Sequence, residues 1–264
     1  MKNKKRSQSG GSATSNNRKR LLNADTPFAI KEAYIKLRTN LLFCMTADKS
    51  KPCSIFAVTS AKPSEGKSLT AANIAISFAM LGKKTLLIDA DMRKPTQRSL
   101  WRVEQNPGLC DYLAMIQPLW IESVEEIPLS IVCTGTIAPN PSKLLSSERM
   151  KEFVANCAME YDYVIIDTPP INTVADAQIV SMFVDGVVLV ARSGDTTSIE
   201  LNAAIDAIHR ADGNFCGVVL NDMDMKSMKY SYRYKYSDKY GYKYSYKYSS
   251  YSAYSSYANK YESK

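Results

Sequence analysis

The chain of 264 residues carries 34 Lys and Arg against 26 Asp and Glu, with one His, for a formal charge of +8; its 45% apolar content suffices to bury one medium core. The charge is segregated, with seven bases and no acid in residues 1–20, nine bases against Asp238 and Glu262 in residues 226–264, and a net −6 left for residues 21–225. An acidic globule between two basic tails argues against a nucleic-acid-binding core, while one His and six Cys without a C-x-x-C pair argue against a Cys/His zinc site or a His-dependent triad.

Residues 1–24 form a basic, Gly/Ser-rich arm expected to be disordered. The arm has no apolar core of the kind a signal peptide needs, and no stretch approaches the roughly 18 apolar residues of a membrane span. Several of the cysteines sit inside apolar runs and read as reduced, buried thiols, so a cytoplasmic location is expected. From Asp25 the spacing of Ile30, Ala33, Tyr34, Leu37 and Leu41 predicts an amphipathic helix. Continuous apolar, β-branched runs at 54–59, 85–89, 129–133, 163–167, 187–191 and 216–220 predict parallel strands covered on both faces. Helices are predicted between them at 66–81, 142–159, 173–183 and 196–211. The alternation indicates an α/β fold, a doubly wound, mostly parallel sheet with helices on both faces, spanning residues 25–225. Ligands of such sheets bind beyond the carboxyl ends of the strands.

Ala61-Lys62-Pro63-Ser64-Glu65-Gly66-Lys67-Ser68 follows one predicted strand and precedes a helix, as a Walker A loop does, with Ala61 where the first Gly usually stands. Backbone N–H groups of Pro63–Leu69, apart from proline's missing one, can surround phosphates at a helix N-terminus. Lys67 can reach the β/γ-phosphates, and the Ser68 hydroxyl can ligate Mg²⁺. Asp167 ends the strand YVIID at the Walker B position, where a carboxylate holds a water of the Mg²⁺ shell. Asp89 and Asp91 close the strand in TLLIDADMRKP and are expected to project toward one active-site rim, with Arg93 and Lys94 behind them. Two acids and a base suit phosphoryl transfer to a phenol, which needs a proton acceptor and charge compensation.

Together, SAKPSEGKS, LLIDADMRKP, VIIDTPP and a tyrosine-rich C-terminus resemble the bacterial tyrosine kinases, over about residues 27–261. The resemblance implies a P-loop NTPase fold and an ATP- and Mg²⁺-dependent autokinase that phosphorylates its own tail in trans. It also implies regulation of capsule or exopolysaccharide synthesis and export. Lys67 would bind phosphate, Ser68, Asp91 and Asp167 would hold the metal and its water shell, and Asp89 would accept the tyrosine proton. Arg93 would compensate charge, and Asn221 would approach the adenine. The implied partners are a transmembrane adaptor of the polysaccharide co-polymerase type, a protein-tyrosine phosphatase and further copies of the chain in a ring. The adaptor would recruit the protein to the inner face of the membrane; the basic arm reads either as a solvated flexible end or as a segment drawn to the anionic leaflet or to the adaptor's cytosolic part. Departures from the family pattern are Ser64, where Gly is common, and Ile35 in Glu32-x-x-Ile35-x-x-Arg38, where a first Arg is common. A weaker ring, with Glu32 and Arg38 pairing across the contact, is expected. Lys62 supports a rival reading, since partitioning and septum-site ATPase switches carry a lysine at this offset.

Residues 226–264 hold Tyr230, Tyr232, Tyr234, Tyr236, Tyr240, Tyr242, Tyr244, Tyr246, Tyr248, Tyr251, Tyr254, Tyr257 and Tyr261, interleaved with Lys and Ser and nearly free of aliphatic residues. Such a segment builds no core and reads as a nucleic-acid binder, a sticky aromatic low-complexity segment or a disordered tail phosphorylated by the protein's own kinase site, of which charge favours the last. Its +7 charge suits docking on an acidic rim. Phosphorylation of all 13 tyrosines would take that charge to roughly −13 to −19, at about −1.5 to −2 per group.

Overall fold

The computed structural model describes residues 20–44 and 52–223. A helix, α1 (Phe28–Cys44), precedes β1 (Ser54–Ser60), and α2 (Lys67–Ala79) leads on to β2 (Thr85–Asp89). Two short helices, α3 (Gln97–Trp101) and α4 (Leu109–Leu113), then lead to β3 (Glu122–Ser123) and β4 (Leu129–Val132). After α5 (Pro141–Leu145) and α6 (Glu148–Glu160) come β5 (Tyr163–Asp167), α7 (Asp176–Ser181), β6 (Gly186–Arg192), α8 (Ser198–Arg210) and β7 (Phe215–Asn221).

Among the described residues the strands form one sheet in the order β3-β4-β2-β5-β1-β6-β7, parallel except for the β3–β4 pair. The chain leaves β1 in one direction to build β2 and β4, then returns past β1 to build β6 and β7. The order therefore reverses beside β1, where an α/β sheet opens a crevice at its carboxyl edge.

The apolar runs bury both faces. Within β1, Ile55 and Ala57 face the cluster under α6, α7 and α8, whereas Phe56 and Val58 face the cluster under α2. The larger of these side chains, Ile55, Phe56 and Val58, each contribute about 1.5–3 kcal/mol of transfer free energy. Helix α2 is the most enclosed, with every residue buried except Ser68 and Leu69, because it lies between the sheet and α1. Its small residues Ala71, Ala72 and Ala75 permit that close approach.

Several expectations are corrected. Helix 142–159 is two helices, broken because the Ser147 hydroxyl caps α6 by accepting the Met150 N–H. The edge strand β7 is only half covered, with Val218 and Leu220 exposed. Leu21 and Leu22, assigned to the N-terminal arm, are buried against α2, and the Leu22 N–H donates to the Asn73 Oδ1. These two side chains complete the apolar cluster over α2, so the arm is shorter than 24 residues. The described residues belong to one compact unit, and no helix among them is long and apolar enough to cross a membrane.

Candidate active site

The adjacent strands β2, β5 and β1 end side by side, and their register sets Asp89 directly opposite Asp167. The loop after β1 turns back over these ends through two left-handed residues, Ser64 (φ 70°) and Gly66 (φ 90°). Glycine adopts that conformation freely, whereas Ser64 pays about 1–2 kcal/mol for it. A Cβ on Gly66 would stand 2.1 Å from the Asn221 Nδ2 and would push that amide off the Glu65 carbonyl. Gly66 is also the residue before α2, whose first-turn N–H groups have no preceding helical carbonyl to meet.

Lys67, 8% exposed, aims its ammonium into the crevice, 2.7 Å from the Asp91 Oδ2, 3.2 Å from the Asp167 Oδ1 and 3.2 Å from the Ser68 Oγ. Burial alone would lower its proton affinity, but Asp167 and Asp91 outweigh it and hold the lysine charged above its ordinary range. Four side chains expected to share a site are thereby brought to one point.

Asp89 stands differently. It is fully buried, its Oδ2 accepts the N–H groups of Thr96 and Gln97 at 3.0 and 2.9 Å, and its Oδ1 accepts that of Asp91 at 3.3 Å. Burial and then the neighbouring Asp167 push its carboxyl up to about 8. Asp89 thus faces inward from the rim on which sequence put it, because a carboxylate at a strand end finds nearer partners in the turn that follows. Asp91 lies closer to the opening and is tied through its Oδ1 to the Lys94 N–H.

Arg93 also departs from expectation. Its guanidinium pairs with the fully buried Asp176 of α7 and donates to the Ser142 Oγ of α5, rather than pointing to Lys67. Asn221 donates its amide to the Glu65 carbonyl at 2.9 Å. Pro63 and Ser64 are exposed on the loop, Glu65 is buried, and Leu69 packs partly into the cluster under α2. Lys62 is held by its own chain, 3.4 Å from both the Asp195 and Glu200 carboxylates. On α1, Glu32 is half-buried, and Arg38 donates to the Ser77 carbonyl of α2 within the same chain, so this side chain already serves intrachain packing. The thirteen tail tyrosines lie outside the described residues.

Gln97 is a site residue that sequence reasoning missed. Wholly buried, it donates from Nε2 to the Asp167 Oδ2 at 2.9 Å and to the Ser68 carbonyl at 3.0 Å, joining the Walker B acid to the phosphate loop. Its only sequence signal is a polar residue soon after Asp91-x-Arg93.

Among the described residues no three His, Cys, Asp or Glu side chains are arranged to hold a metal directly. The hydroxyl of Ser68 and the carboxylates of Asp91 and Asp167 are hard oxygen donors. Such a set fits an ion that keeps most of its water, as Mg²⁺ does.

Residues 52–252 match the ParA family, described as NUBPL iron-transfer P-loop NTPase. Over 204 residues the chain is 41% identical to the tyrosine-protein kinase YwqD of Bacillus subtilis, covering 76% of this chain and 85% of that protein. It is 36% identical to the tyrosine-protein kinase CpsD of Streptococcus pneumoniae, covering 76% and 87% of the two chains. Among solved structures, the kinase domain of the Escherichia coli tyrosine kinase ETK aligns with a TM-score of 0.68 at 34% identity, over 72% of this chain and 74% of that one. The chimerical protein CapA2B2 aligns with a TM-score of 0.67 at 39% identity, over 72% and 83%. The Aquifex aeolicus MinC:MinD complex aligns at 0.55 with 22% identity over 67% of this chain and 72% of that one, a likeness of fold alone.

Proposed function

The chain belongs to the bacterial tyrosine-protein kinases, and on that premise we propose that it is an ATP- and Mg²⁺-dependent autokinase whose substrate is its own C-terminal tyrosine cluster, presented in trans by another copy. The observation that carries this reading is the meeting of Lys67, Ser68, Asp91 and Asp167 at the ends of three neighbouring strands.

In this reading the loop backbone and Lys67 hold the triphosphate, and Ser68, Asp91 and Asp167 hold Mg²⁺ with its waters. The bound metal–nucleotide supplies the phosphoryl group and neutralises its oxygens. In the structure the Asp91 Oδ2 pairs with the Lys67 ammonium at 2.7 Å, so binding of the metal–nucleotide would turn that ammonium from Asp91 to the phosphates. Asp89 is left as the acceptor of the phenolic proton, a role it fills as the carboxylate that the N–H groups of Asp91, Thr96 and Gln97 stabilise. Substrate must then displace part of the 91–97 turn from its carboxylate. Gln97 positions Asp167, and Arg93 acts through Asp176 by bracing the turn after Asp91.

The tail's +7 charge supports docking at a site with three acids, and charge reversal on phosphorylation would release it and loosen the ring of copies. A transmembrane adaptor of the co-polymerase type would activate the kinase and bring it to the inner membrane face, with a phosphatase resetting the tail and polysaccharide export as the regulated output. The test is to incubate the full chain with ATP, Mg²⁺ and the adaptor's cytosolic segment, and to blot for phosphotyrosine. Signal lost in Lys67→Met and on removal of residues 226–264 is the expected result. ATP hydrolysis without phosphotyrosine would instead support a partitioning-type switch.

A further inference from the structure

A carboxylate in a phosphate loop is electrostatically misplaced, because it faces the charge that the loop exists to bind. Glu65 is nonetheless only 1% exposed, and a buried carboxylate is costly unless its oxygens are bonded. They are. The Oε2 accepts the Lys62 N–H at 3.0 Å, closing the loop on itself, and the Oε1 accepts the hydroxyl of Thr196. That hydroxyl oxygen accepts in turn the N–H of Arg192, the last residue of β6, at 2.8 Å. The Glu65 carbonyl takes the amide of Asn221, the last residue of β7.

These anchors lie on the side of β1 occupied by β6 and β7, whereas Lys67 meets its acids on the side of β5 and β2. The loop is therefore slung between a chemical side and a structural side. We infer that the side chains of Glu65 and Thr196 form a positioning pair that sets the phosphate loop's shape, and with it nucleotide affinity, without themselves touching the nucleotide. The inference rests on the reading of this loop as the ATP site. It requires a hydroxyl at position 196, so Ser can replace Thr there and the isosteric Val cannot.

The test measures affinity of the full-length protein for Mg²⁺ and a fluorescent ATP analogue, beside apo thermal stability and kcat at saturating ATP, with Lys67→Met as the non-binding control. Expected are a tenfold or greater loss of affinity in Thr196→Val and Glu65→Ala, and wild-type affinity within about twofold in Thr196→Ser. Thr196→Val should keep kcat once ATP saturates. The double variant Glu65→Ala/Thr196→Val should bind no worse than Glu65→Ala alone, as coupled residues do. Wild-type affinity in a folded Thr196→Val would overturn the inference, and so would Thr196→Ser failing as badly as Val. A wild-type protein that binds no better than Lys67→Met would instead sink the reading of the loop as an ATP site.

Discussion

Arg93 and Asp176 meet as a two-pronged ion pair, Nε to Oδ2 at 2.7 Å and Nη2 to Oδ1 at 3.0 Å, with the Ser142 hydroxyl donating to the same Oδ1 at 2.5 Å. The acid is fully buried and the arginine partly exposed, so the two partners are not equivalent. Removing Arg93 leaves a buried carboxylate with one hydroxyl. Arg93→Ala should therefore lose about 3 kcal/mol of stability, as broken buried pairs do. Arg93→Lys should recover only part, since an ammonium cannot make both parallel bonds. Denaturant midpoints of the two variants check this. Equal midpoints for Arg93→Ala and wild type would remove the bracing role.

Gly66 carries two separate constraints, a left-handed backbone and the Asn221 amide 2.1 Å from where a Cβ would stand. Gly66→Ala should abolish nucleotide binding. Adding Asn221→Ala relieves the contact but not the roughly 1–2 kcal/mol of backbone strain. The double variant should thus regain some stability over Gly66→Ala, with a coupling of about 0.5–3 kcal/mol. Strict additivity in a thermal-shift cycle would show that the two residues do not interact.

Why some of this was legible and some not follows from where the information lies. The strands could be read because parallel strands buried on both faces leave continuous apolar runs, and the phosphate loop because its chemistry is local. That Asp89 sits opposite Asp167 is a matter of register between strands 78 residues apart, visible only as two acids ending two apolar runs. Gln97 and Asp176 are polar residues buried by tertiary packing, and in isolation each reads as surface. Val218 and Leu220 mislead in the opposite sense, since an apolar run at a sheet edge looks like a central one. The break at Ser147 is marked in the sequence only by Ser146-Ser147, between the apolar residues Leu144 and Leu145 and the helical face of Met150, Phe153, Val154 and Cys157.

Three carboxylates around one ammonium make the crevice responsive to cations. Magnesium with nucleotide at about 100 times its Kd should stabilise the fold by about 2.7 kcal/mol. For a domain of this size that is a rise of roughly 5–10 °C in Tm. Nucleotide with chelator should give less, and Asp167→Asn should remove the difference between the two conditions while Lys67→Met removes the whole shift. Identical shifts with and without magnesium in the wild type would argue against Ser68, Asp91 and Asp167 as its holders.

The buried thiols make the alkaline limb of stability predictable. Burial, reinforced by Asp185 and Asp162, pushes the Cys53 thiol up to about 12. Burial likewise takes Cys110 and Cys157 to about 12, the latter helped by Glu160. In the unfolded chain such thiols ionise nearer 9, so between pH 9 and 12 the folded state holds protons that the unfolded state has released. The stability these groups contribute is complete below pH 9 and is lost as pH rises toward 12. Urea unfolding should therefore show a midpoint that declines above pH 9, and Cys157→Ala should flatten that decline while lowering the neutral plateau. At pH 8, native protein should leave Cys53, Cys110 and Cys157 unalkylated by iodoacetamide, as peptide mass spectrometry would reveal, and labelling of all three without denaturant would show that the thiols are not enclosed.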